Sequence, residues 1–290
     1  MSVKMMDDER HRIIAANLSP ERPIRSSEFL RGREKDLQDI ELELRCYDAI
    51  PFIYGYRGVG KTSLARTAAQ QVTLADREHI YVACAPGSRM LQVFREIGEE
   101  ILRAIFRLVP PQTVLSKVEV KLSLTPAIRT CFEKQDSTLE KFEDANAAIR
   151  VLRELDRLLP QAESTVVVLD ELEELDGKDR SDLAYLIKQL GDQDFKLKFI
   201  LVGIAENVHE LIGAHESVPR YLKEVSLKPL YSQHLMDIVS NAAKAVHVEI
   251  ARDILIRIAI IGNGYPHFAH LMGKSILGLL GIVWVNPHDS

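Results

Sequence analysis

Apolar residues fall along this chain in two alternating rhythms. From Glu34 they recur at Leu37, Ile40 and Leu44, the stripe of a helix that stops before Pro51. Pro51-Phe52-Ile53-Tyr54 is then a short apolar run closed by Gly55, which predicts a buried strand, and Leu64, Ala65, Ala68 and Val72 mark the next helix face. The alternation repeats. Ile80-Tyr81-Val82-Ala83-Cys84 reads as a second strand, and Leu91, Phe94, Ile101, Leu102, Ile105 and Leu108 form a long helical stripe from about Ser88. Thr165-Val166-Val167-Val168-Leu169 and Phe199-Ile200-Leu201-Val202 are two more strands of the same kind. Strands apolar at every position, alternating with amphipathic helices, call for a parallel sheet covered on both faces. The predicted class is α/β, a doubly wound parallel sheet.

Three segments depart from this rhythm. Residues 1–28 carry scattered charge and weak periodicity and are expected to be an irregular lead-in. Val118, Val120, Leu122 and Leu124 alternate with Glu119, Lys121 and Ser123, the period-two pattern of a half-exposed strand, so a strand insertion is expected near 114–130. After Pro229 the β-rich runs cease and helical stripes continue to about Leu280. The expected organisation is an α/β domain over 29–229 and a small all-α domain over 230–290.

Composition narrows the class further. With 46% hydrophobic and 27% charged residues over 290 positions, the chain is far from the signature of disorder. Thirty-seven Lys and Arg against 42 Asp and Glu leave a net charge of -5, without the basic excess of a dedicated nucleic-acid coat. Cys46, Cys84 and Cys131 stand far apart, with no zinc-ligand spacing beside them. The longest apolar stretch, Ile276 to Val285, is broken by glycine and about half of what a bilayer demands. The expectation is a reduced, cytoplasmic protein with no membrane partner.

The chemistry begins at Gly55-Tyr56-Arg57-Gly58-Val59-Gly60-Lys61-Thr62-Ser63, which contains G-x-x-x-x-G-K-[ST] between a predicted strand and a predicted helix. Glycines let the backbone curl so that several N–H groups point inward, and the helix start adds its positive dipole end; such a loop suits a polyphosphate. Lys61 is expected on the β- and γ-phosphates of ATP or ADP, and the Thr62 hydroxyl on Mg²⁺. The Val166–Leu169 run ends in Asp170-Glu171, at the sheet edge where ligands of open α/β folds bind. Asp170 fits a second Mg²⁺ partner through water, and Glu171 the group that orients an attacking water. Glu173, Glu174 and Asp176 read instead as a solvated acidic helix start.

A P-loop, an intervening strand and an apolar strand ending in Asp-Glu resembles the ASCE division of P-loop NTPases, and within it AAA+ proteins. Phe29-Leu30-Arg31-Gly32-Arg33-Glu34 looks like the hhGRE box of origin-recognition ATPases, archaeal-type ATPases and STAND signalling NTPases. The resemblance implies a five-stranded sheet with a helical lid, and places Gly32 and Arg33 beside the adenine. It also implies a polar residue after the fourth strand that contacts the γ-phosphate or the water; Val202-Gly203-Ile204-Ala205-Glu206-Asn207 offers Asn207, with Glu206 as the alternative. Val218-Pro219-Arg220-Tyr221 is similar to the stretch carrying an arginine finger, so Arg220 would act on a neighbouring subunit's γ-phosphate, ahead of the final strand and the lid.

In the lid, Gly262-Asn263-Gly264-Tyr265-Pro266-His267-Phe268-Ala269-His270 lacks a second-sensor arginine and resembles the GxP motif of STAND NTPases, with Pro266 at the nucleotide. That favours a slowly hydrolysing, nucleotide-controlled switch over a fast motor. His267 is a possible phosphate sensor, against a packing role for both His267 and His270. The chain ends at Asn286-Pro287-His288-Asp289-Ser290, and the resemblance leaves two expectations open: partner proteins supply an effector or sensor, or the chain is truncated after the lid. Self-association follows from an arginine acting in trans. Two alternatives stay open: an ATP-dependent DNA-binding assembly factor, and a module that holds nucleotide without hydrolysing it. Arg89, Arg95, Arg103 and Arg107 on one helix, with Lys117 and Lys121, are the basic residues available to DNA.

Overall fold

A computed structural model describes residues 3–23, 30–46, 49–74, 77–115, 124–160, 165–192, 195–204 and 218–283. Five parallel strands, β1 (Ile50–Gly55), β2 (Ile80–Ala83), β3 (Val166–Asp170), β4 (Lys198–Gly203) and β5 (Leu222–Leu227), form one sheet in the order β2-β3-β4-β1-β5. The helices are α1 (Val3–Asn17), α2 (Glu34–Cys46), α3 (Lys61–Val72), α4 (Met90–Leu108), α5 (Pro111–Leu115), α6 (Pro126–Lys134), α7 (Ala145–Leu158), α8 (Gly177–Asp192), α9 (Ser232–Ala245), α10 (Arg252–Gly262) and α11 (Pro266–Val283).

The chain divides into two compact units. One comprises Gln38–Tyr54 and Ala68–Ser226 and holds most of the sheet. Every residue of β3 is buried, and the two faces bury alternate residues. Phe52, Val167, Leu169, Phe199 and Leu201 join one core with α4, α7 and α8, whereas Ile53, Val166, Val168, Ile200 and Val202 are buried outside it. That two-sided burial is why these strands are apolar at every position. α4 contributes Met90, Phe94, Ile97, Ile101 and Ile105 from one stripe, and its start is fixed by the buried carboxylate of Asp179, which accepts the Met90 N–H at 2.7 Å. Asp156, also buried, accepts the Leu197 N–H at 2.7 Å and so sets the approach to β4.

The second unit comprises Met1–Leu37, Gly55–Thr67 and Leu227–Ser290. Here α1 packs with α9, α10 and α11: Ile14 and Leu18 are buried with Leu235, Val239, Ile258, Ala269 and Leu277. The lead-in expected to be irregular is thus a helix. Two apolar anchors four residues apart are too few to announce it, and its stability comes from packing rather than from its own sequence. Of the described residues near 114–130, α5 ends at Leu115 and α6 begins at Pro126, with Leu124 and Thr125 in neither helix nor strand. Positions 116–123, which carry most of the alternation, lie outside the described residues, as do Phe29, Glu206, Asn207 and the last seven residues of the chain.

Candidate nucleotide-binding site

The phosphate loop leaves β1 at Gly55 and returns to regular structure at Lys61, the first residue of α3. Gly58 (φ 82) and Gly60 (φ 100) occupy backbone conformations that side chains strongly disfavour, and these two turns bend the chain back over the helix start. Val59 between them is fully buried and anchors the loop, its N–H reaching the Tyr56 carbonyl at 3.4 Å. α3 has no acidic residue in its first turn, so its positive end is not neutralised locally. The Lys61 ammonium donates to the carbonyls of Gly55 (2.9 Å) and Tyr56 (3.2 Å), which holds it at the mouth of the loop. Arg57 is exposed; Thr62 and Ser63 are half-buried in the first turn of α3.

The lid turn stands against this loop. Asn263 closes α10 in a left-handed conformation (φ 44), Gly264 follows at φ 83, and Pro266 opens α11, a break-and-restart that suits each of these residue types. The turn is pinned by the Leu230 N–H on the Gly264 carbonyl (2.8 Å). A β-carbon built on Gly58 stands 3.7 Å from Tyr265 Cδ1, and one on Gly60 stands 4.0 Å from Pro266 Cγ. Pro266 therefore lies at the loop glycines, joined by Tyr265, which the sequence reading did not single out.

The arginine box contributes differently. Arg33 is buried, and one of its terminal nitrogens donates both to the Val59 carbonyl (3.2 Å) and to the Lys228 carbonyl (2.6 Å); the other reaches Asp36 at 3.4 Å. Burial pulls its pKa below the ordinary arginine value, opposed by Asp36. Gly32 lies against the His234 ring of α9, 2.6 Å from a β-carbon built there. Main-chain partners so remote in sequence leave no local signal.

The carboxylates belong to the sheet unit. Leu169 pairs with Leu201, and Val202 with Ile53, so Asp170 ends β3 level with Ile53, across β4 and about 10 Å away at ordinary strand spacing. Asp170 is buried; its Oδ2 accepts the Tyr81 hydroxyl (3.0 Å) and its Oδ1 the Glu171 N–H (2.8 Å). Burial, then the charge of Asp170, pushes the neighbouring Cys84 thiol up to about 12, which keeps it protonated and unreactive. Glu171 is exposed and left-handed (φ 58), a conformation uncommon for glutamate, at the start of the short turn Leu172–Glu174. Two acids expected to be merely solvated have partners: Glu173 accepts the Ile204 N–H (3.2 Å), fixing the end of β4, and Asp176 accepts from Asp179 N (3.1 Å) at the start of α8.

Arg220 sits in the short turn Val218–Tyr221, with its side chain 63% exposed and 3.7 Å from Asp192. It lies over the Tyr221 ring at 4.6 Å and donates to the Tyr221 hydroxyl, which itself donates to Asp192. Among the described residues no group of three or more His, Cys, Asp or Glu side chains is arranged around a metal position. His267 and His270 do not change that: His270 is buried in the lid core. Nor is any described helix long and apolar enough to cross a membrane.

Comparison with known proteins locates this arrangement. The profile of the AAA ATPase domain matches residues 30–201. The Walker-type ATPase PABY2304 of Pyrococcus abyssi superposes with a TM-score of 0.60 at 23% identity, over 89% of this chain and 70% of that one. Cdc6p from Pyrobaculum aerophilum gives 0.56 at 19% identity, over 93% of this chain and 65% of that one. Aeropyrum pernix Orc1, solved in complex with DNA, gives 0.54 at 17% identity, over 87% of this chain and 60% of that one. These likenesses establish a shared fold. Among curated proteins none matches.

Proposed function

The chain belongs to the AAA ATPase domain family, and we propose that it is a nucleotide-controlled switch: it holds ATP with Mg²⁺ on the Gly55–Thr62 loop, hydrolyses it slowly and alters its assembly with partner proteins. The observation that carries this reading is the phosphate loop itself, with its inward lysine, its two left-handed glycines and the lid turn Gly264–Pro266 against them. A lid that touches the phosphate loop directly gives the lid helices a means of responding to what the loop holds.

The residues suit the metal. Mg²⁺ prefers oxygen donors, keeps several waters and takes one or two protein ligands, and the Thr62 hydroxyl and Asp170 carboxylate are donors of that kind. When bound, it neutralises charge on the transferring phosphate. Lys61 would hold the β- and γ-phosphates as a point charge, and Asp170, its oxygens fixed by Tyr81 and the Glu171 N–H, would hold the metal through water. Glu171, at the exposed end of β3, accepts the hydrogen bond that orients the attacking water; Asn207, with Glu206 as the alternative, is the candidate for a polar contact to the γ-phosphate or that water. Arg220 would complete the site of a neighbouring subunit. The DNA-binding reading has less behind it: Arg95 and Arg103 on α4 pair with Glu99 and Glu100 rather than forming a free basic stripe.

Binding of a fluorescent ATP analogue and phosphate release, measured on three proteins, test this. Lys61→Ala should weaken binding by roughly a hundredfold or more. Glu171→Gln should bind as the natural chain does but turn over at least about tenfold more slowly. Equal affinity of the natural chain and Lys61→Ala would end the nucleotide reading; retained nucleotide without any phosphate release would leave a holding module.

A further inference from the structure

The phosphate loop holds one peptide whose direction matters more than the others. The Val59–Gly60 peptide is planar and trans, so the Val59 carbonyl and the Gly60 N–H point in opposite directions. The peptide would turn over through ψ of Val59 and φ of Gly60, and Gly60, already at φ 100, has no β-carbon to resist that rotation. If the peptide turned over, a carbonyl oxygen rather than an N–H would face a polyphosphate. Some group must hold the carbonyl outward.

That group is Arg33. Its buried guanidinium donates to the Val59 carbonyl at 3.2 Å, and the same nitrogen spends its second hydrogen on the Lys228 carbonyl at 2.6 Å. The other terminal nitrogen, on Asp36 at 3.4 Å, fixes the direction of the fork. The turn that carries it cannot slide, because Gly32 is wedged on the His234 ring and the Arg33 carbonyl accepts the Leu37 N–H (2.8 Å) at the start of α2. Lys228 immediately precedes Pro229 and Leu230, which meet the lid turn: a β-carbon on Gly264 would stand 2.4 Å from Pro229 Cβ, and Leu230 N–H holds the Gly264 carbonyl.

We propose that Arg33 is a positioning residue that never contacts the nucleotide: it turns the Gly60 N–H into the phosphate loop by drawing out the Val59 carbonyl, and through the same nitrogen it ties that peptide to the start of the lid. The proposal rests on the reading that the Gly55–Thr62 loop binds nucleotide. It departs from the adenine contact that the arginine box suggested. Two consequences follow. Affinity depends on Arg33 without direct contact, and a phosphate oxygen that fixes the Gly60 N–H also fixes Lys228 through one shared guanidinium.

The test uses the whole chain, with MgADP and a fluorescent ATP analogue as probes and Lys61→Ala as control. Arg33→Gln and Arg33→Ala should each lose roughly tenfold or more in affinity, the scale of one charge-assisted hydrogen bond. Arg33→Lys should lie between these and the natural chain, and guanidinium chloride, not sodium chloride at equal ionic strength, should restore affinity to Arg33→Ala. Hydrogen exchange supplies a readout that loss of packing alone would not give. Nucleotide should slow exchange of the amides over 228–235 in the natural chain, and in Arg33→Gln at saturating nucleotide this protection should be absent while that of the loop persists. Affinity within about threefold of the natural chain in both Arg33→Gln and Arg33→Ala, with Lys61→Ala impaired, would overturn the proposal and leave the nucleotide reading standing. So would protection over 228–235 that is unchanged at saturation. If Lys61→Ala also binds normally, it is the nucleotide reading that fails.

Discussion

The two regions proposed to act on phosphate hold their cations in opposite ways. Around the phosphate loop, charged groups end chiefly on main-chain carbonyls: Lys61 on Gly55 and Tyr56, Arg33 on Val59 and Lys228, with Asp36 on its other terminal nitrogen. In the Val218–Tyr221 turn, Arg220 ends on the side chains of Asp192 and Tyr221, all three half-buried or exposed. Main-chain acceptors cannot swing away, so the loop is set before any ligand arrives, and catalysis by preset dipoles needs that. An arginine held by exposed side chains changes partners at little cost, and a residue serving another subunit must do so. His270 extends the comparison to its limit. It is buried in the lid core, and neither ring nitrogen finds a partner among the described residues.

The largest effect in this comparison falls on the group with no bracing. Burial, and then the neighbouring His267, pull the His270 pKa from 6.5 down to about 4. The unfolded chain therefore takes up this proton first as pH falls. The stability associated with a neutral His270 is complete above about pH 6.5 and is lost progressively toward pH 4, by at most about 3 kcal/mol. Urea midpoints of the natural chain should fall across that window, and His270→Leu should flatten the fall and raise the midpoint at pH 7, because it removes two buried polar atoms that find no partner among the described residues. If His270→Leu instead lowers the midpoint at pH 7 by more than about 1 kcal/mol, the ring has a partner in solution and the comparison loses its unbraced member.

What could be read from the sequence follows the same division. The phosphate loop was legible because its chemistry requires particular residues at particular spacings, and Val166–Leu169 because burial on both sheet faces excludes polar residues. The α4 stripe was legible for the same periodic reason. Contacts that run from a side chain to distant main chain leave no such trace. Nothing near Arg33 shows that its partners are 26 and 195 positions away. Asp156 and Asp179 look like ordinary surface acids until Leu197 and Met90 are found to donate to them. α1 was missed because its two buried anchors, Ile14 and Leu18, gain meaning only from the lid helices they join.

A smaller effect, about tenfold in turnover, is expected for Arg220. If a neighbouring subunit must lend this arginine, specific ATPase activity should rise with protein concentration, and Arg220→Ala should keep the natural affinity for nucleotide while losing that rise. Phosphate release measured over roughly three decades of concentration decides it. A flat profile in the natural chain, or an unaltered profile in the variant, makes Arg220 a surface arginine and removes the functional half of the contrast with Lys61.

The smallest effect concerns what restrains Arg220. The turn is anchored chiefly by packing: the Tyr221 ring lies so close over Gly191 that a β-carbon there would stand 2.2 Å from Cδ1. The ion pair with Asp192 spans 3.7 Å between side chains 63% and 38% exposed, where water and salt screen the attraction. Asp192→Asn removes the charge but keeps an oxygen that can accept the Tyr221 hydroxyl. It should therefore lower stability by only about 0.5 kcal/mol, and the difference from the natural chain should disappear in about 1 M sodium chloride. Urea midpoints at low and high salt measure both. A loss above about 2 kcal/mol that persists in salt would mean that this turn is held as firmly as the phosphate loop, and an arginine so held is poorly suited to leave for a neighbour's site.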